Sequence, residues 1–176
     1  RSAGNIFLEL QFLEEKYGAY HFNFIDDTLT IDKKRVGDLC DLIINNNKSY
    51  RWVANARVNT VDRELLKRMY HAGCRNICFG VESGDSLVRD NIGKRISDNE
   101  IINAHSWARD AGMITSSFFM VGNLGESWKS INKTIKLAKE IKSDNPSCSI
   151  ATPFPDTRFM EEASRNGWLI TKDWDK

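Results

Sequence analysis

One-for-one alternation of apolar and polar residues recurs in short runs along this chain, and between those runs the apolar positions fall at helical spacing. A first helix is predicted from a cap at Ser2, through Ile6, Leu10, Leu13 and Tyr17, to a stop at Gly18. Residues 21–27 follow as a strand, with Phe22 and Phe24 on one face and Asp26 and Asp27 at its carboxyl end. A helix over 33–44 carries Val36, Leu39, Cys40 and Ile43 as its apolar stripe, and residues 51–57 form the second strand. Leu65, Leu66 and Met69 mark a short helix from about residue 62, closed by Gly73. The third strand, 76–82, alternates Ile77, Phe79 and Val81 against Cys78, Gly80 and Glu82. Ser97 and Glu100 have the spacing of a capping box for a helix running to Gly112. A fourth strand over 114–121, a helix over 127–142, a fifth strand over 147–152 and a last helix ending at Gly167 complete the series.

Strands and helices therefore alternate without a hairpin signal, which predicts an α/β fold with a parallel sheet and helical crossovers. The length of 176 residues suits one domain over 1–176. Alternation also predicts what the sheet faces. If the helices cover Phe22, Phe24, Trp52, Ala54, Ile77 and Phe79, the other face receives Asn23, Asp27, Asn55, Arg57 and Glu82. Charged groups on an inner face cost several kcal/mol each unless a ligand or mutual pairing offsets it. Two readings stand side by side: a polar ligand site, or internal salt bridges among Glu82, Arg57 and Asp27. Glu82 itself, at the end of a strand and between glycines, is either an acid delivered to a ligand or the cap of a helix beginning near Asp85.

Composition narrows the chemistry. A net charge of +1 with interleaved signs leaves no electrostatic footprint for nucleic acid or an anionic membrane. No stretch approaches the roughly 18 apolar residues of a membrane span, and the first residues lack the apolar core of a signal peptide, so the expected location is the cytoplasm. Cys40, Cys74, Cys78 and Cys148 are too scattered for a disulfide framework, and Val81 stands where a Cys-x-x-x-Cys-x-x-Cys loop beginning at Cys74 would need its third ligand. Cys74 and Cys78 are expected as core thiols. His21, His71 and His105 show no metal-type spacing, and no metal ligand or catalytic residue is assigned. The loop Gly122-Asn123-Leu124-Gly125-Glu126-Ser127 can approach a ligand closely but lacks the Lys-Ser/Thr ending of a phosphate-binding loop.

Taken together, several short motifs in order resemble those of radical S-adenosylmethionine enzymes, particularly the branch often joined to a cobalamin-binding domain. Phe24-Ile25-Asp26-Asp27 is similar to that family's Phe-x-Asp-Asp element, and Ala72-Gly73-Cys74 followed by Phe79-Gly80-Val81-Glu82-Ser83-Gly84 to its Ala-Gly-Cys and Gly-Ile/Val-Glu-Ser-Gly elements. Asn91-Ile92-Gly93-Lys94, the Gly122 to Ser127 loop and Pro153-Phe154-Pro155-Asp156-Thr157 resemble further family elements, with Leu124 in place of a proline and Asp156 in place of a glycine.

The resemblance implies a partial TIM-type (β/α)6 barrel of which about five parallel strands are present. The first strand and the Cys-x-x-x-Cys-x-x-Cys loop would lie just before Arg1, making the chain a fragment that is inactive alone. It implies S-adenosylmethionine and a 4Fe-4S cluster as cofactors, with cobalamin as an option, in reductive cleavage of S-adenosylmethionine or cobalamin-assisted methyl transfer. By resemblance Asp26 and Asp27 sit where the family contacts the methionine amino end, Glu82 and Lys94 contact the cofactor, and Gly122 and Asn123 border the adenosyl site; Arg57 and Ser83, at strand carboxyl ends, are further candidate cofactor contacts. The implied partners are a small-molecule substrate, an electron donor and a cobalamin-binding domain of the same protein, with no nucleic acid and no membrane. A non-catalytic binding module and an unrelated barrel enzyme using acid/base residues are the alternatives.

Overall fold

The computed structural model describes residues 1–170. Five strands, β1 (His21–Phe24), β2 (Arg51–Ala56), β3 (Cys74–Glu82), β4 (Ile114–Val121) and β5 (Asn145–Ile150), form one sheet in sequential order. Every pairing is parallel. The intervening helices are α1 (Ala3–Tyr17), α2 (Lys33–Asn45), α3 (Arg63–His71), α4 (Ser86–Asn91), α5 (Asp98–Asp110), α6 (Trp128–Ile141) and α7 (Arg158–Arg165). Crossovers of one hand joining strands in sequential order place the main helices on one face. They pack there in series, α1 on α2, α2 on α3, α3 on α5 and α5 on α6.

The core lies between those helices and one face of the sheet. Trp52, Ala54 and Ala56 of β2 and Ile77, Phe79 and Val81 of β3 are buried on it, while Asn55, Cys78, Gly80 and Glu82 are only partly covered on the other. The predicted alternation therefore holds through the centre of the sheet. Trp52 donates its indole N–H to the Ala72 carbonyl at 2.9 Å, and its ring meets Phe24 edge-on at 5.3 Å. Gly73 at φ 99° brings its backbone so close to Tyr50 that a Cβ would lie 1.9 Å from the Tyr50 carbonyl oxygen, so this turn admits no side chain.

The helix ends follow their capping residues. Ser2, Asp62, Ser97 and Ser127 each accept a first-turn amide, and Ser97 with Glu100 forms the expected capping box. Several boundaries differ from the pattern. β1 stops at Phe24, so Asp26 and Asp27 lie in the loop beyond it. In α1 the buried face is Ala3, Phe7 and Leu10, and Tyr17 is exposed, because only the turns that touch α2 need an apolar stripe. β5 begins at Asn145 and admits Pro146, which a strand with a free edge tolerates because it has no ladder partner to lose there. A short helix, α4, does begin after Gly84, but its cap is Asp85, which accepts the Leu87 amide at 3.0 Å, and not Glu82.

Candidate functional site

Glu82 ends β3 in a backbone conformation that strand patterning does not predict. Its φ is 66°, and the Ser83 amide donates back to the Val81 carbonyl at 2.9 Å, closing a three-residue turn of the γ type. The ladder with β4 shifts register between Gly80 and Glu82 at the same point. A non-glycine residue held at positive φ costs about 1–3 kcal/mol and persists only where its surroundings over-determine it. Here the turn aims the carboxylate back over the inner face, where Glu82 Oε1 accepts from Lys94 Nζ at 2.7 Å. The side chains of the pair are 15% and 19% exposed. Gly80 makes the pairing feasible: a Cβ there would lie 2.4 Å from both Glu82 Oε1 and Lys94 Nζ.

Around this pair, at the carboxyl ends of the strands, opens a cleft of about 350 Å³. Asp27 and Thr28 line it from the loop after β1, Asn55 and Arg57 from β2 and its end, Cys78 and Gly80 from β3, and Phe118 from β4. In parallel α/β sheets this edge is where ligands bind. Among the described residues neither Asp27 nor Arg57 forms an ion pair, and the only ion pair in the cleft is Glu82 with Lys94. The internal salt-bridge reading thus applies to Glu82, through a partner it had not included, and not to Arg57 or Asp27.

Of the residues singled out in the sequence, Asp27, Arg57, Glu82 and Lys94 come together in the cleft. Asp26 is exposed just outside it, its carbonyl accepting from the Asn55 amide at 3.3 Å. Ser83 is elsewhere altogether. Fully buried, its hydroxyl lies 3.2 Å from that of Thr134 on α6 and accepts the Asp85 amide at 3.1 Å, so it ties the turn to the helix layer. Gly122 and Asn123 stand at the end of β4 on the same edge of the sheet, beside other cavities. Asn123 is buried there and donates to the Met120 carbonyl at 3.1 Å.

Thr28, Cys78 and Phe118 were not singled out as site residues. Alternation along β3 and β4 carried a signal for the last two, since Cys78 opposes Phe79 and Phe118 precedes buried Phe119. Cys74 is a core thiol, whereas Cys78 is half-buried and faces the cleft. Burial raises the Cys78 thiol pKa, with a hydrogen bond to the Ser116 hydroxyl pulling the other way.

Chemically, a cleft with an unpaired guanidinium, an unpaired carboxylate and a Lys–Glu pair suits a zwitterion, with cations for a carboxylate and acids for an ammonium. A three-cysteine metal site does not fit. Cys40 and Cys74 are buried, Cys148 lies on exposed β5, and among the described residues no three His, Cys, Asp or Glu side chains converge as ligands.

Comparison with known proteins bears on the family and the fold. The family model described as the radical SAM superfamily matches residues 1–138. An uncharacterized methyltransferase of Pyrococcus horikoshii is 35% identical over 175 residues, covering 99% of this chain and 38% of that protein. The anaerobic magnesium-protoporphyrin IX monomethyl ester cyclase of Cereibacter sphaeroides is 29% identical over 158 residues, covering 88% of this chain and 26% of the cyclase. The chain thus spans well under half the length of these relatives. Among solved structures, the radical S-adenosylmethionine methyltransferase TsrM of Kitasatospora setae, with cobalamin and a [4Fe-4S] cluster bound, superposes with a TM-score of 0.84 at 15% identity, over 94% of this chain and 32% of TsrM. At that identity the likeness shows a shared fold. By the family match over most of its length, the chain belongs to the radical SAM superfamily.

Proposed function

We propose that this chain supplies the S-adenosylmethionine-binding side of a radical S-adenosylmethionine enzyme, and that methyl transfer assisted by cobalamin is its reaction. The observation that carries the reading is the pair of unpartnered opposite charges, Arg57 and Asp27, in one cleft beside the Glu82–Lys94 pair. The amino-acid end of S-adenosylmethionine carries one carboxylate and one ammonium. Arg57 and Lys94 take the carboxylate, Asp27 and Glu82 take the ammonium, and Asp26 strengthens the negative field at the rim. Asn55 and Thr28 offer hydrogen bonds beside them, Gly122 and Asn123 border the adenosine end, and Phe118 gives the cleft an apolar wall. The protein's part in such chemistry is to orient the cofactor and exclude water.

A 4Fe-4S cluster, when bound, supplies the electron that cleaves S-adenosylmethionine reductively. None of its ligands is assigned to this chain, because the four cysteines do not converge. In this proposal residues 1–176 form one domain of the barrel, and the cluster ligands, a cobalamin-binding domain, an electron donor and a small-molecule substrate come from outside it. Methyl transfer is favoured over other radical outcomes by its recurrence among relatives, which include the Pyrococcus horikoshii methyltransferase and a cytidylyl-2-hydroxyethylphosphonate methyltransferase of Streptomyces wedmorensis.

The test is anaerobic incubation of the full-length protein with S-adenosylmethionine and a strong reductant, with and without cobalamin, followed by product analysis. Formation of 5′-deoxyadenosine and methionine, or of S-adenosylhomocysteine when cobalamin is added, is the expected result. Intact S-adenosylmethionine at the level of a protein-free control would overturn the proposal.

A further inference from the structure

The two halves of the Glu82–Lys94 pair come from different segments, the γ-turn ending β3 and the loop between α4 and α5, and one buried side chain joins those segments. Arg89, on α4, is 1% exposed. Its Nη1 donates to the Ser83 carbonyl at 2.8 Å, directly after Glu82, and its Nε donates to the Ile96 carbonyl at 3.1 Å, two residues after Lys94. Its Nη2 pairs with Asp98 Oδ1 in the first turn of α5. The Arg89 backbone takes part as well, its carbonyl accepting the Lys94 amide at 2.8 Å. A planar fork of donors is needed to reach three acceptors on three segments, and a lysine ammonium on a flexible stem does not reproduce it.

We propose that Arg89 is a positioning residue for the cofactor: its guanidinium holds the Glu82 turn in register with the Lys94 loop, and so sets the spacing of the pair that receives the amino-acid end of S-adenosylmethionine. This rests on the function proposed above for the cleft. Arg89 does not line the cleft and touches no ligand; it acts through Glu82 and Lys94. Apart from the Glu82–Lys94 contact itself, no other side chain among the described residues bonds both the turn and the loop, so Arg89 is the brace behind two side chains 12 positions apart.

A purely structural arginine would, on replacement, loosen the whole site. A positioning arginine affects only what the pair touches. The two are separated by measuring the Kd of the anaerobically purified full-length protein for S-adenosylmethionine and for 5′-methylthioadenosine, which keeps the adenosine and the sulfur but has no amino-acid end. In Arg89→Lys, S-adenosylmethionine is expected to bind about tenfold more weakly, while 5′-methylthioadenosine changes by less than about twofold. Asp98→Asn weakens the clamp from its exposed end and serves if Arg89→Lys does not fold; it is expected to show the same selectivity with a smaller loss. Parallel weakening of both ligands, or unchanged affinity for S-adenosylmethionine, overturns the positioning role. If the unaltered protein binds 5′-methylthioadenosine but gains nothing from the amino-acid end, the assignment of the cleft fails, and this inference with it.

Discussion

Gly80→Ala separates the site from the fold. The new methyl would lie 2.4 Å from Glu82 Oε1 and 2.4 Å from Lys94 Nζ, well inside any real Cβ contact, while no backbone atom stands among its nearest neighbours. Both obstructing atoms are the far ends of long side chains that line an open cleft, so they can swing apart. A hydrogen bond between charged groups contributes about 1.5–3 kcal/mol when its partners would otherwise be buried and unpaired. Groups able to turn toward water lose less, about 1 kcal/mol. Alanine in a strand interior recovers about 0.5–1 kcal/mol of the conformational entropy that glycine loses on folding. The net change in stability should stay within about 1 kcal/mol.

Cofactor binding should suffer far more, because the displaced pair no longer presents a carboxylate and an ammonium at a fixed spacing. A loss of at least about tenfold in affinity for S-adenosylmethionine corresponds to 1.4 kcal/mol. Gly84→Ala is the matched control. There the methyl would lie 2.4 Å from the Lys133 carbonyl oxygen and 2.6 Å from Thr134 Cα, both backbone of α6. A helix backbone cannot turn aside, and overpacking of this kind costs about 1–3 kcal/mol or more. Urea denaturation and calorimetric titration of both variants supply the comparison. Wild-type affinity in Gly80→Ala, or destabilisation equal to that of Gly84→Ala, would refute the reasoning.

Arg57→Ala should leave stability within about 0.5 kcal/mol of wild type, since no described residue pairs with the guanidinium, yet weaken S-adenosylmethionine binding about tenfold or more; the reverse pattern in denaturation and titration would make Arg57 structural. His105 is fully buried between the Ile101 carbonyl and the Ser117 hydroxyl, and burial holds its pKa below the usual 6.5. Below that pH the unfolded chain takes up a proton that the folded chain refuses, so stability falls as pH drops, by at most about 1.4 kcal/mol per pH unit. His105→Gln should flatten the difference between urea curves at about pH 7.5 and about pH 5.5, and an unchanged slope would contradict the assignment. Burial pushes the Cys40 thiol up to about 12 and Cys74 well above its usual value, whereas Cys148 is exposed. A thiol reagent on the native protein should therefore modify Cys148 first, Cys78 more slowly, and Cys40 and Cys74 only after unfolding; early reaction at Cys74 would count against its placement.

The sheet was legible because burial on one face forces a period of two, and Trp52, Ala54, Ile77 and Phe79 obey it where the helices cover them. The same rule puts Asn55, Arg57 and Glu82 on the open face, where they line the cleft. Three features escaped it for physical reasons. The positive φ of Glu82 is imposed by tertiary bonds to Ser83 and by the Lys94 pair, and a glutamate gives no local sign of it. Ser83 adjoins Glu82 in one motif, yet the turn sends its hydroxyl to Thr134, 51 residues away in sequence. The helix α4 has only six residues, Ser86–Asn91, too few for an apolar stripe to show, so Arg89, the link between turn and loop, had no pattern to announce it.

The decisive measurement for the cleft is the position of S-adenosylmethionine in a crystal of the full-length protein grown without oxygen. Its carboxylate is expected within about 3 Å of Arg57 or Lys94 and its ammonium at Asp27 or Glu82. A ligand whose amino-acid end lies instead in the cavity beside Thr157 and Arg158, leaving the Glu82–Lys94 pair untouched, would contradict it.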